Sequence, residues 1–165
     1  MKSAAIGTLL VALCLPATLL ANDTAFGGQG ADVMPIKTPE VEMVREHIVM
    51  QADEGADSWS VKVDFEFKNV TDKPVSILMG FPFHINEDES DVNPPKGAKY
   101  PKANDPLVWD FKTTLRGKKV SKMKRQKLVA NKVEDLHYRF AYVWDVKFKP
   151  GETVKVMNSY RIGMT

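Results

Sequence analysis

Strict alternation of apolar and polar residues between positions 59 and 68 constrains the fold more than any other feature of the sequence. The apolar members of this alternation are Trp59, Val61, Val63, Phe65 and Phe67. A period of two residues is typical of a strand that has one buried and one solvated face. We therefore predict that Val61, Val63, Phe65 and Phe67 face a core, whereas Lys62, Asp64 and Glu66 face solvent.

A turn and a second apolar stretch follow this strand directly. Residues 69–74 (NVTDKP) contain Asn, Asp and Pro, which favour turns, and residues 75–83 then place Val, Ile, Met and Phe on one face. These features predict that the two strands pair as a hairpin around which the chain is organised. Because a hairpin alone is marginally stable in water, a second sheet must cover its apolar face.

Five further segments have the pattern of strands. They are 41–50, 107–115, 120–129, 138–148 and 154–162. For 41–50 a helix is the alternative, because Val41, Val44 and Ile48 also have helical spacing. The sequence as a whole predicts an all-β fold over 39–165, a β-sandwich of about seven mostly antiparallel strands with immunoglobulin-like layering.

The first 21 residues have the pattern of a secretory signal peptide. Lys2 precedes an apolar run from Ile6 to Leu20, and Ala21 is a suitable last residue before cleavage. The alternative is a membrane anchor, although the run is short for a span. Cys14 is the one cysteine of the chain, and Leu13 before it does not suit lipid attachment. We therefore expect an exported, periplasmic protein whose mature chain begins near Asn22 and has no cysteine.

Little in the sequence points to catalysis. Residues 22–38, rich in glycine and small side chains, are interpreted as a flexible lead-in and not as a phosphate-binding loop. We predict a non-catalytic binding or assembly module, with no catalytic residue, metal or cofactor. One alternative is a cell-envelope hydrolase with a site built from the loop 84–104. His84 and the acidic run 87–91 also offer a calcium site as an alternative to a solvated loop.

The most uneven feature of the composition is a basic tract from 111 to 133, which has nine lysines or arginines and no acid. The candidate partner-binding residues are Lys112, Arg116, Lys118, Lys119, Lys122, Lys124, Arg125 and Lys127, and Lys132 follows them. A turn at Gly117 is expected to gather the first four at one hairpin tip. Since the formal net charge is only +2, the compensating acids must lie elsewhere, among them Asp53, Glu54, Asp57 and the 87–91 loop.

We predict that this tract binds an anionic envelope component, with peripheral membrane contact, or an acidic protein. Nucleic acid is not predicted, because no aromatic residue is interleaved with the cations after Phe111. The alternative is a purely protective role, since lysines on an edge strand block the pairing of sheets between molecules.

An ordered set of short motifs resembles an exported bacterial family known as domain of unknown function 4424. The set comprises Glu46 and Ile48, Phe67-Lys68-Asn69, Thr71-Asp72-Lys73-Pro74-Val75, Gly80-Phe81-Pro82-Phe83, Trp144, Phe148, Pro150-Gly151-Glu152 and Ser159-Tyr160-Arg161. The resemblance spans Asn22 to Gly163 and implies no established activity. Because members of the family are usually longer, it implies that the chain is either a short member or one whose C-terminal part is missing. The apolar strand 154–162 is therefore expected to be an open end strand that pairs with a missing segment or with another chain.

Overall fold

The protein is a two-layered β structure in the computed structural model, which describes residues 24–27, 34–36, 38–55, 58–86, 92–128 and 138–163. These residues form ten strands, which in chain order are β1 (Thr24–Gly27), β2 (Met34–Ile36), β3 (Val41–Ala52), β4 (Ser58–Asn69), β5 (Val75–Phe83), β6 (Trp109–Leu115), β7 (Lys118–Lys119), β8 (Lys124–Lys127), β9 (Phe140–Phe148) and β10 (Thr153–Gly163). The described residues contain no helix that is long and apolar enough to span a membrane.

Two five-stranded sheets make up the sandwich. Sheet 1 has the order β2-β1-β5-β9-β8, sheet 2 has the order β3-β4-β10-β6-β7, and every strand pair is antiparallel. The predicted all-β sandwich is confirmed; the immunoglobulin-like layering stays a prediction. The described strands outnumber the predicted ones because β1 and β2 lie within the segment 22–38. In addition, the one strand predicted at 120–129 is replaced by β7 and β8, which belong to different sheets.

The core lies between the two sheets, where the alternating strands face each other. On β4, Val63 is fully buried and Phe65 is 1% exposed, while Lys62 is exposed. From sheet 1, Val146 and Phe148 pack in the same cluster. The predicted inward and outward faces of β4 are therefore confirmed. Segment 41–50 is also a strand, as predicted, and the helical alternative for it is wrong.

The predicted hairpin of the two organising strands is wrong. β4 pairs with β3 and β10, whereas β5 pairs with β1 and β9, so the turn after Asn69 carries the chain from one sheet to the other. The physical reason is that each strand has one apolar face. When the strands lie in opposite layers, these faces bury each other. A hairpin would leave both apolar faces on the same side of one sheet, where neither covers the other.

Asn69 holds this crossing in place. Its side-chain amide donates to the carbonyls of Lys73 (2.7 Å) and Lys149 (3.0 Å), and its Oδ1 accepts from the backbone and hydroxyl of Thr71. The side chain is completely buried, and a buried amide needs such partners. It therefore ties the turn after β4 to the turn between β9 and β10.

The expectation that 154–162 is an open end strand is also wrong. β10 lies in the middle of sheet 2 and pairs with β4 on one side and with β6 on the other. Its apolar face places Val154 and Val156 in the core, where a central position satisfies its backbone on both sides. The edges of sheet 2 are instead β3 and β7.

Some predictions fall on residues outside the described ranges. They concern the signal peptide 1–21 with Cys14, and also Asp57, the acidic run 87–91 and Lys132. These remain predictions.

Candidate functional site

The basic tract begins at the hairpin of β6 and β7. Leu115 pairs with Lys118, and the two residues between them, Arg116 and Gly117, have φ values of 51° and 75°. Two successive positive φ values are typical of the tight hairpin turn that matches the twist of the strands. The turn predicted at Gly117 is thus confirmed, and it leaves Lys118 and Lys119 exposed on the edge strand β7.

Arg116 at this turn is engaged in a structural ion pair. Its Nε and Nη2 donate to the two carboxylate oxygens of Glu152, each at 3.0 Å, and Nη2 also donates to the Lys147 carbonyl at 2.7 Å. The hydrogen bond from Arg116, together with one from the Lys149 amide, lowers the pKa of Glu152. Arg116 therefore fastens the hairpin to the β9–β10 turn, and its charge is neutralised locally.

Arg125 is held in a different way. Its guanidinium lies over the Phe140 ring, 4.3 Å from the centroid, and 5.8 Å from the centroid of Phe83. It also donates to the Asn104 carbonyl at 2.6 Å. A planar cation can stack on aromatic rings while it donates hydrogen bonds, so Arg125 packs over the aromatic side chains at one end of the core.

The lysines of the tract remain exposed. Residues 120–123 lead the chain from β7 at the edge of sheet 2 to β8 at the edge of sheet 1. Val120 and Met123 pack against the core between the sheets. The exposed lysines on this side are Lys118, Lys119, Lys122, Lys124 and Lys127. None of the five makes an ion pair with a described residue. We call the surface formed by β7, 120–123 and β8 the basic side.

Lys112 lies apart from the basic side. It is on β6 opposite Ser159 of β10, on the solvent face of sheet 2. There it borders a shallow depression of about 440 Å³ together with Asp110 and Arg161, which form an ion pair at 2.6 Å. The structure thus brings together five of the eight candidate residues, assigns Arg116 and Arg125 to packing, and leaves Lys112 one strand away.

Acidic residues gather at the opposite edge of the sandwich. β3 forms the edge of sheet 2 that lies farthest from β7. The acids on β3 and next to its ends are Glu40, Glu42, Glu46, Asp53 and Glu54. Hydroxyl donors on Ser58 and Ser60, each 2.6 Å from an oxygen of Asp53, lower the pKa of that carboxyl. The described residues on the two sides of the sandwich therefore carry opposite charge, which gives this part of the chain a charge dipole.

The solvent face of sheet 2 offers a second polar surface, but its charges are largely paired. Glu66 lies 3.7 Å from Arg45 and 3.4 Å from Lys155, and a depression of about 370 Å³ borders these residues and His47. Cross-strand pairs of this kind stabilise a sheet and reduce the charge available to a ligand. This face is consequently a weaker candidate than the basic side.

Nothing in the described part of the loop 84–104 assembles a hydrolytic site. The His84 ring packs against Tyr138 with centroids 4.5 Å apart, and the His84 carbonyl accepts from the Leu107 amide. His84 borders neither of the two depressions. Among the described residues there is no cluster of three metal-ligating side chains. The start of the loop is therefore a ladder of backbone hydrogen bonds that joins residues 84–86 to residues 104–107.

Several residues that define the site are not apparent from the sequence. Glu152 and Phe140 determine which cations are packed, yet each lies far along the chain from its arginine. Glu42 and Glu46 contribute to the acidic edge. The sequence shows both acids within the predicted strand 41–50, but it does not show that this strand lies at the edge of a sheet.

Comparison with known proteins places the chain in a family. The profile of the family described as "Domain of unknown function (DUF4424)" matches residues 21–137, well over half of the sequence. The chain belongs to this family. The predicted resemblance to this family is thereby confirmed, with a match that covers residues 21–137. No curated protein is similar enough to match the DUF4424 chain.

A solved structure shares the fold of this DUF4424 member. It is the crystal structure of a protein from Legionella pneumophila subsp. pneumophila described as a "putative nutrient binding protein", with a TM-score of 0.71 and 30% sequence identity. The match covers 87% of this chain and 45% of the Legionella chain. The DUF4424 chain thus spans less than half the length of that protein.

Proposed function

We propose that this DUF4424 chain is an exported, non-catalytic binding module whose basic side contacts an anionic component of the bacterial envelope. The observation that carries the proposal is the row of five exposed lysines from Lys118 to Lys127, which crosses from the edge of one sheet to the edge of the other. Their ammonium groups have no described acidic partner, so their fields add over one side of the molecule.

The arrangement of the row suits an extended anionic surface better than a small molecule. Lysine presents a strongly hydrated point charge on a flexible stem, whereas a bidentate pocket for one carboxylate or phosphate would use arginine. Both arginines of the tract are occupied, Arg116 by Glu152 and Arg125 by aromatic rings. Lipid headgroups or an acidic polysaccharide supply repeated negative charges at the spacing that a flexible lysine row can follow.

The similar Legionella protein supports binding over catalysis, because it is described as a putative nutrient binding protein. Export to the periplasm is supported by the leader-like pattern of residues 1–21. No observation on the described residues favours the hydrolase alternative.

Capture on vesicles tests this function directly. The mature chain is mixed with phosphatidylglycerol vesicles, with phosphatidylcholine vesicles and with an acidic polysaccharide bound to beads, and bound protein is measured by sedimentation. We expect capture on at least one anionic support and none on the neutral vesicles. The lysine-reversal variant, K118E/K119E/K122E/K124E, should lose this capture.

A matched control separates the site from the total charge. The variant K68E/K73E/K96E/K147E also reverses four exposed lysines, but all of them lie outside the basic side. It should retain most of the capture, because local fields decide contact at physiological salt, where the screening length is about 8 Å. If both variants lose capture to the same extent, capture depends on the net charge of the protein and not on the position of the lysines. If the wild type is captured on neither of the two anionic supports, the proposal is contradicted.

A further inference from the structure

β3 is an edge strand with unusual exposure of apolar side chains. It has twelve residues, pairs with β4 on one side, and has no described strand on the other. Its large exposed apolar residues are Met43 (38%), Val44 (46%), Val49 (45%) and Met50 (52%). A long edge that exposes both its backbone and several apolar side chains favours association with another chain.

The edges on the two sides of this sandwich are built differently. β7 and β8 are short and rich in lysine, which is a common protection against unwanted pairing. β3 has neither lysine nor proline, and its only irregularity is a register shift between Met43 and Arg45. The edges therefore differ in chemistry: β7 and β8 carry lysines, whereas β3 carries acids and exposed apolar side chains.

Glu46 on β3 indicates the charge of that partner. It lies opposite Phe65 on the face directed towards the core, and it is half-buried. Its Oε1 is removed from solvent and has no hydrogen-bond partner among the described residues, and burial raises the pKa of this carboxyl. A buried carboxylate oxygen without a partner is costly, and a cation supplied by another chain would satisfy it.

We propose that the β3 edge docks against the basic side of a second copy of this chain. The acids on and beside β3 and the lysines of the basic side lie on opposite sides of one molecule, so two copies placed side by side bring opposite charges together. Lysine also suits the apolar part of the edge. Its aliphatic stem can cover Met43 or Met50 while its ammonium group reaches Glu42 or Glu46.

The geometry of this contact has a consequence for assembly. The two surfaces that meet are different, so the interface is heterologous and a dimer still offers one free acidic edge and one free basic side. Association should therefore extend beyond a dimer as the concentration rises, into a ring or an open row. The contact uses the basic side of the proposed function but does not require that an anionic ligand binds there.

Sedimentation velocity on the mature chain tests the proposal. The wild type should form species larger than a monomer at low salt and micromolar concentrations, and added salt should dissociate them. The acidic-edge variant E42K/E46K and the lysine-reversal variant K118E/K119E/K122E/K124E should each be monomeric alone. An equimolar mixture of the two should associate again, because each carries the surface that the other lacks.

Controls distinguish this docking from other causes. The variant D72K/D145K makes the same change in charge at two exposed acids away from β3 and should associate as the wild type does. A monomeric wild type, or variants that fail to associate when mixed, would overturn the proposal. So would association that survives both charge variants, which would favour apolar pairing of β3 with another β3. The E42K/E46K variant should still bind anionic vesicles, so that failure of docking and failure of the proposed function are separate results.

Discussion

Arg116 and Glu152 join two turns that lie 36 residues apart, through two hydrogen bonds of 3.0 Å between the guanidinium and both carboxylate oxygens. The pair fixes the β6–β7 hairpin, from which the basic side begins, to the turn between β9 and β10. The Arg116–Glu152 pair therefore stabilises the fold, and the lysines that come after Arg116 in the chain are left to contact a partner.

The Arg116–Glu152 pair should make stability depend on pH in a defined direction. Because its pKa is lowered in the folded state, Glu152 stabilises the protein above the ordinary glutamate pKa of about 4.3, and this contribution is lost as the pH falls through the lowered value. The Glu152→Gln variant should lose about 0.5–1 kcal/mol at neutral pH, since the pair is partly exposed.

Urea denaturation of both proteins checks this expectation. The difference in the free energy of unfolding should shrink towards zero in acid below the lowered pKa, where wild-type Glu152 is protonated as well. A difference that is independent of pH would mean that Glu152 acts through packing or shape and not through its charge.

Phe65 should be among the most sensitive core positions. Its side chain is 1% exposed and lies 5.6 Å from the Phe67 ring, centroid to centroid. The Phe65→Ala variant should lose about 3–5 kcal/mol in the free energy of unfolding, because a cavity replaces the ring. As a control, Val70→Ala at a position 48% exposed should change this quantity by less than about 0.5 kcal/mol. A loss below about 1 kcal/mol at Phe65 would contradict the packing described for β4.

Two neighbouring cations of the tract should give opposite results. Arg125 stacks on Phe140 and donates to Asn104, so Arg125→Ala should lower stability by about 1–2 kcal/mol, the range for a packed cation and a lost hydrogen bond. Lys124 is exposed and has no described ion-pair partner, so Lys124→Ala should leave stability unchanged and weaken vesicle capture. Thermal unfolding and capture measured on both variants give the comparison. Equal effects of the two substitutions on both quantities would refute the division of the tract into packed and free cations.

The faces of the strands could be predicted from the sequence, whereas the neighbours of the strands could not. The alternation around Val63 and Phe65 determines which side of β4 is buried, because only one parity is apolar. It does not determine the partner strand, since β3, β5 and β10 all offer an apolar face. Pairing with β3 and β10 depends on contacts distant in sequence, such as the bond from Asn69 to the carbonyl of Lys149, 80 residues away.

For the candidate site, too, the sequence identifies the residues but not their contacts. Composition identifies the cations of the basic tract and the turn at Gly117. It does not show that Glu152 neutralises Arg116 or that Phe140 covers Arg125, because both partners come from later parts of the chain. The acidic edge also depends on topology, since Glu42 and Glu46 would have other neighbours if β3 were a central strand.

The most direct test of the central claim, that the basic side is the contact surface of a binding module, is the salt dependence of binding to an anionic support. The apparent association constant of the mature chain is measured at increasing salt concentration. The support is phosphatidylglycerol vesicles, or the acidic polysaccharide if the chain is captured on that support instead. It is compared with that of K118E/K119E/K122E/K124E and of the control K68E/K73E/K96E/K147E. We predict that wild-type and control binding weaken steeply as salt screens the lysines, while the lysine-reversal variant shows no measurable binding at any salt concentration. Binding by the lysine-reversal variant with the affinity and salt dependence of the wild type would contradict the account.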